Sequence, residues 1–170
     1  MQQNFCRRCG AALTSKTPAV YACPTGHTIF SNPAPTAGIF LLDSDGMVIL
    51  SIRGINPGKG RLDSIGGFVD DGESFEQAVV REIREETGLS PSDYSTPVFL
   101  TSAPSDYDYD GETRSVLSCF YYAMLNPGAT PDARDDVAEL IRIAPNDVKA
   151  DDMWSNDTRI GIQALLAVLA

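Results

Sequence analysis

The chain has 170 residues, 43% of them hydrophobic, which is enough for one packed domain and a small accessory module. Thirteen Lys and Arg against 23 Asp and Glu give a formal charge of -10. That field repels nucleic acids and anionic membranes, and it obliges any phosphate-bearing ligand to meet a local cation. No stretch approaches the roughly eighteen apolar residues of a membrane span, and the opening MQQNFCRRCG lacks the apolar core of an export signal, so a cytoplasmic protein is expected.

Residues 1–31 have little apolar periodicity but hold three of the four cysteines and the single histidine. Without an export signal, such clustering reads as metal ligation rather than as a disulfide framework. Cys6-Arg-Arg-Cys9-Gly10 has the spacing of a zinc knuckle, and Cys23-Pro-Thr-Gly-His27 supplies a less regular partner, so a structural Zn²⁺ would be held by Cys6, Cys9, Cys23 and His27. The competing reading is reduced surface thiols and a stray histidine. If His27 is a zinc ligand, none remains for a Ser-His or Cys-His nucleophile. Cys119, in an apolar run, reads as a packed core residue.

The Pro-rich segment Ser31–Thr36 reads as an extended joint, which places a module boundary there and a main domain over residues 32–170. Two apolar, β-branched runs, AGIFLLD and MVILSIR, flank Ser44-Asp45-Gly46 and predict a hairpin. The Gly- and Asp-rich stretch that follows predicts loop, with a short strand around Leu62 to Phe68. Ser74 as N-cap, Gln77 completing a capping box and Gly88 beyond the last turn predict a helix from about Phe75 to Thr87. VFLTS and SVLSCFYYAML predict strands on either side of a polar insert, APSDYDYDGETR. ELIRIA predicts a further strand, and RIGIQALLAVLA an amphipathic C-terminal helix packed on a sheet. Strands alternating with two helices indicate an α/β chain with a mixed sheet.

The middle helix carries Glu82, Glu85 and Glu86. A solvated face is the ordinary explanation for such a run. A helical wheel argues otherwise: with Glu82 at zero, Glu86 falls near 40°, Phe75 near 20°, Val79 near 60° and Ala78 near −40°, at about 100° per residue. The glutamates therefore sit within the apolar arc. Like charges at this spacing, set against the wrong end of the helix dipole, are tolerable in water and costly once buried unless a cation compensates them. Carboxylate oxygens without nearby imidazole or thiol favour Mg²⁺ or Mn²⁺, which readily accept phosphate oxygens, so a diphosphate is the natural ligand.

The segment GFVDDGESFEQAVVREIREETGL, Gly67 to Leu89, resembles the Nudix box, G-x5-E-x7-R-E-U-x-E-E-x-G-U with U a bulky aliphatic residue. All its specified positions match: Gly67, Glu73, Arg81, Glu82, Ile83, Glu85, Glu86, Gly88 and Leu89. The resemblance implies a Nudix fold, an α/β/α sandwich with a mixed sheet, here preceded by a small zinc-ribbon module. It further implies that Glu82, Glu85 and Glu86, with the carbonyl of Gly66, ligate Mg²⁺ or Mn²⁺, that Glu85 and Glu86 belong to the catalytic set, and that Glu73 and Arg81 form a structural ion pair. The implied reaction is attack of an activated water on phosphorus in a nucleoside diphosphate linked to another group. The general base in this family often lies on a later loop. Asp136 is the candidate here for that base or for an extra metal ligand, because Asp136-x-x-Glu139 resembles the E-x-x-E segment of zinc-ribbon Nudix enzymes; the plainer reading is a solvated acidic loop.

A zinc ribbon, then Asn-Pro, then this box resembles the NADH pyrophosphatase group, and the relatives suggest a homodimer. Of that group's S-Q-P-W-P-F-P-x-S array, Ser102, Pro104 and an aromatic at Tyr107 are retained, while the Gln, the Trp and two prolines are not. ADP-ribose-like and dinucleotide diphosphates therefore rank first as substrates, NADH second and nucleoside triphosphates third. A non-enzymatic nucleotide-sensing Nudix module is the reading from another class. Tyr107 could stack on a base, and Arg53, at the end of a strand leading to the box, could contact the diphosphate.

Overall fold

The computed structural model describes residues 4–170; the first three residues of the expected 1–31 module lie outside that range. Two sheets are present. The smaller is antiparallel, in the order β1 (Thr14–Thr17), β2 (Val20–Ala22), β3 (Thr28–Phe30), around a miniature core of Cys6, Cys23 and Ile29. So few apolar groups cannot hold a fold of this size, which leaves the work to a crosslink or a metal.

The larger sheet begins inside the Pro-rich joint, at Ala34. Its strands are β4 (Ala34–Leu42), β5 (Val48–Arg53), β6 (Leu62–Asp63), β7 (Ile65–Phe68), β8 (Val98–Tyr109), β9 (Glu112–Met124) and β10 (Val137–Ile143). The main order is β10-β5-β4-β9-β8, with β6 beside β5 and β7 beside β4. Only β4 and β9 run parallel, so the sheet is mixed. Helices α1 (Phe75–Thr87) and α2 (Asn156–Leu169) cover opposite faces. Along β4, Ile39 and Leu41 pack toward α1 while Phe40 and Leu42 pack toward α2, and all four are buried. A strand covered on both faces reads as an unbroken apolar run, which is how FLL entered the sequence. The architecture is the expected α/β/α sandwich.

Local signals account for most element ends. Asp43 Oδ1 accepts the N–H groups of Asp45 and Met47, closing the turn between β4 and β5. Ser74 and Gln77 form the reciprocal capping box of α1, and Gly88 stops the helix with φ of 71°. Ser155 caps α2 with Thr158, so that helix starts three residues before the apolar periodicity that announced it.

The polar insert is where the expected layout fails. Ala103 to Arg114 is not a loop between strands: β8 and β9 run through it and turn only at Asp110-Gly111, with φ of 52° and 77°. Positive φ at both central residues is the hairpin turn that Asp-Gly favours. Cross-strand pairs such as Tyr107 with Arg114 sustain the ribbon beyond the apolar core. The strand expected around Leu62 to Phe68 is broken at Ser64 into β6 and β7. Among the described residues, no helix is long and apolar enough to cross a membrane.

Candidate active site

Strand β7 and helix α1 meet at Gly66 and Gly67. Gly66 has φ of 146°, and a Cβ there would stand 2.1 Å from the carbonyl oxygen of Ala37. A Cβ on Gly67 would stand 2.6 Å from Glu82 Oε1. Only glycines let the backbone of β7 lie this close to the carboxylates of α1.

Glu82 and Glu86 are buried, at 8% and 5% exposure, on the inner face of α1. Glu86 Oε2 accepts the Gly66 N–H at 3.0 Å. Burial pushes the Glu86 carboxyl up to about 10, with the charges of Glu82 and Asp136 acting in the same direction. Burial likewise raises Glu82, against the opposing pull of Arg81. Two adjacent carboxyls with raised affinity for protons form a site that favours a cation, and their hard oxygens suit Mg²⁺ or Mn²⁺. Glu85 differs: its side chain is 39% exposed and meets Arg81 Nη1 at 3.0 Å. The inner arc of the helix thus holds two of the three glutamates, and the third lies at its rim.

Arg81 organises this edge. Its Nε and Nη2 donate to the two oxygens of Glu73 at 2.9 and 3.0 Å, Nη1 donates to Glu82 Oε1 at 2.7 Å, and Nη2 also reaches the Phe68 carbonyl. One guanidinium therefore ties the box loop, β7 and the carboxylates together, and these partners hold Arg81 firmly charged.

Asp136 is brought to the same place by backbone bonds. The N–H groups of Asp132 and Arg134 cap the carbonyls of Thr87 and Glu86 at the end of α1, and Gly54 N–H binds the Asp136 carbonyl at 2.7 Å. Asp132, Asp135 and Glu139 remain exposed, whereas Asp136 is half-buried and raises the proton affinity of both inner glutamates. The acidic run is a solvated loop with one member turned inward.

From Gly66, Gly67 and Asp136 a cavity of about 130 Å³ leads to the α2 side of the sheet. Arg53 lines it, with its charge committed: Nη1 pairs with Asp63 at 2.6 Å, Nε donates to the Pro57 carbonyl, and the guanidinium lies 4.5 Å from the Trp154 ring centroid. Burial raises Asp63 to about 7 despite that partner. Tyr107, on β8, packs edge-on against Phe68 and Trp154 at 5.4 and 5.8 Å between centroids. Sequence reasoning missed Trp154, Asp157, Ser118 and Asp63 in this wall. A lone tryptophan in a polar stretch was the available signal; the others carried none.

In the smaller sheet, the ligand atoms of Cys6, Cys9, Cys23 and His27 lie within 4.8 Å of one another. Cys9 and Cys23 sulfurs are 3.8 Å apart, and Cys6 Sγ is 3.6 Å from His27 Nδ1. A tetrahedron with bonds of about 2.3 Å to sulfur and about 2.0 Å to nitrogen has edges of this length, so the four fit Zn²⁺. The Thr25 hydroxyl, 3.0 Å from Cys23 Sγ and 3.2 Å from Cys9 Sγ, is the main influence lowering both thiols, Cys9 to about 6.

Residues 32–163 match the family model of the NUDIX domain. An ADP-ribose pyrophosphatase of Methanocaldococcus jannaschii is 51% identical over 51 residues, 30% of this chain and 30% of that protein. A NAD-capped RNA hydrolase, NudC, of Stutzerimonas stutzeri is 31% identical over 103 residues, 59% of this chain and 36% of that one. The matched stretches thus span about a third of these relatives. A NUDIX hydrolase from Nitrosomonas europaea superposes with a TM-score of 0.67 at 19% identity, covering 96% of this chain and 89% of that one. The NUDIX domain of Shewanella oneidensis NrtR, solved with ADP ribose, gives 0.64 at 22% identity, covering 83% and 91%. At such identities these structures speak for the fold.

Proposed function

The chain belongs to the Nudix family, and from that premise we propose that it is a divalent-metal-dependent hydrolase of the diphosphate linkage in a nucleoside diphosphate derivative, the chemical class of ADP-ribose and dinucleotides. The observation that carries the proposal is the pair Glu82 and Glu86, buried side by side against Gly66 and Gly67 with Asp136 turned toward them. The names of the relatives, an ADP-ribose pyrophosphatase and NAD-capped RNA hydrolases, support the same class.

Glu82, Glu86 and the Gly66 carbonyl would hold Mg²⁺ or Mn²⁺, with the more exposed Glu85 at its outer side. Bound there, the ion would neutralise charge on the diphosphate and lower the pKa of a water. The protein's own groups do the rest. Arg81 fixes Glu82 and Glu85 through Nη1 and so sets where the ion's ligands stand. Asp136 would accept a proton from the attacking water, a role supported by the bonds from its loop to α1's terminal carbonyls. Tyr107 would line the path of the substrate's nucleoside. Arg53, already paired with Asp63, would shape the cavity and meet phosphate only with the charge left over from that pair. The Cys6, Cys9, Cys23, His27 cluster would take a closed structural Zn²⁺ with no role in turnover.

The test is a panel of ADP-ribose, NAD, NADH, a diadenosine polyphosphate and nucleoside triphosphates, each with Mg²⁺ and with Mn²⁺, with products identified. Release of a nucleoside monophosphate from at least one diphosphate-linked compound is expected. Binding without hydrolysis across the panel would overturn the enzymatic reading and favour a nucleotide sensor.

A further inference from the structure

The floor of the cavity is a one-way chain of hydrogen bonds. Asp157 is buried at 7% exposure in the first turn of α2 and, as a carboxylate, can only accept. The Ser118 hydroxyl donates to its Oδ2, and Ser155 donates to its Oδ1 at 2.5 Å. Ser118 has thereby used its only proton, so its 2.5 Å contact with Thr36 Oγ1 must be donated by Thr36. Thr36 then has no proton left either. Thr36, Ser118 and Asp157 all line the cavity, and none of their side chains has a proton left to donate into it.

The walls are aromatic. Tyr107, Phe68 and Trp154 border the same space, which suits a flat ring. At about 130 Å³ the cavity falls below the roughly 300–1,000 Å³ that encloses a whole drug-sized ligand, so it takes one ring system rather than a complete nucleotide. Gly66, Gly67 and Asp136, which adjoin the carboxylates, line the same cavity.

We infer that this cavity is a nucleobase pocket specific for a ring edge with two neighbouring hydrogen-bond donors, which among the common bases is the N1–H and N2–H₂ edge of guanine. Adenine sets one amino donor beside the N1 lone pair, and that lone pair would face an acceptor with no proton between them. A site whose buried groups pair with one ligand and are left opposed by another discriminates strongly. The inference rests on the hydrolase reading for the diphosphate and names the base attached to it. It sets this chain apart from the adenine compounds in its relatives' names.

The experiment measures binding of guanosine, inosine and adenosine, with free ribose as control, to the full-length protein in EDTA by chemical-shift titration. The uncharged nucleosides avoid the carboxylates, and the ribose common to all three cancels. Guanosine is expected to bind about tenfold more tightly than inosine, which lacks the N2 donor, and inosine more tightly than adenosine. Asp157→Asn should erase the order, with retained dispersion of the amide spectrum as the control for folding. If that variant does not fold, the nucleoside series on the unmodified protein still decides. Equal or tighter binding of adenosine, binding of ribose as strong as that of guanosine, or no binding of any nucleoside overturns the inference. Adenosine preference in a protein that cleaves diphosphates removes the pocket and leaves the hydrolase; guanosine preference in a protein that cleaves none does the reverse.

Discussion

The two candidate metal sites prepare for a cation in opposite ways. On α1, burial drives the proton affinity of Glu86 up to about 10, so without an ion this carboxyl keeps its proton rather than carry a charge it cannot solvate. In the smaller sheet, hydrogen bonds centred on Thr25 lower Cys9 to about 6, so thiolates form readily before any ion arrives. The first suits an ion that must keep open positions for phosphate and water, because the protein leaves the charge under-satisfied. The second suits an ion that is itself part of the fold. The packing agrees: Glu82 and Glu86 lie on a helix whose Val79 and Ile83 belong to a large apolar core, whereas the cysteines are a substantial part of their own small core.

The contrast breaks most clearly on metal removal. Stripping zinc with a strong chelator, or Cys9→Ser, should unfold the 14–30 sheet, since structural zinc supplies on the order of 10 kcal/mol in small zinc modules. The Nudix sheet should persist; hydrogen exchange resolved by segment would show the two behaviours. If both regions melt together, the modules are one cooperative unit and the boundary at Ser31 is wrong.

Next in size is Glu86→Gln, which removes a carboxylate proposed to hold the divalent ion and leaves the shape. Folding should be kept, and kcat for the best diphosphate substrate should fall by about a thousandfold, roughly 4 kcal/mol. Glu85→Gln, altering the exposed rim carboxylate, should cost clearly less. Equal losses would deny the distinction between inner and outer glutamates.

The pH dependence of stability sharpens the comparison further. A carboxyl whose folded pKa is raised binds more protons in the native state than in the unfolded chain between about 4.5 and about 10. Its stabilising contribution is present at low pH and lost as pH rises through that window. The melting temperature of Mg²⁺-free protein should therefore fall by roughly several degrees between pH 6 and 9, and Glu86→Gln should flatten the trend. Saturating Mg²⁺ should raise the melting temperature more at pH 9 than at pH 6. A calorimetric series checks each statement.

The smallest effect concerns close approach. Gly67→Ala places a methyl 2.6 Å from Glu82 Oε1, whose carboxylate can swing only by leaving Arg81. Mg²⁺ activation should need about tenfold more ion, with little change in kcat at saturation.

Much of this was legible in the chain. The wheel placed Glu82 and Glu86 on the inner arc, and both are buried; the same arc misjudged Glu85, because a wheel has no information on where the neighbouring strand ends. The capping residues set α1 to the residue. The polar insert misled because apolar alternation marks a strand only where one face is buried, and the outer part of the β8–β9 ribbon is held by cross-strand pairs and an Asp-Gly turn instead. Arg53 was expected to look toward phosphate, and its ion pair with Asp63, ten positions away, is a consequence of β5 lying beside β6.

What the sequence determined by itself is whatever depends on near neighbours along the chain: the caps, the hairpin turn after Asp43, the spacing that stacks two carboxylates on one helical face, and the ligand spacing within Cys6 to Cys9 and within Cys23 to His27. What only the tertiary structure decided is what faces those groups. Ser118, Asp157 and Thr36 sit on β9, α2 and β4, and no periodicity along the chain relates them. Their hydrogen bonds acquire a direction, and the cavity a chemical preference, only when the sheet brings one strand's hydroxyl between another's and a carboxylate that can do nothing but accept.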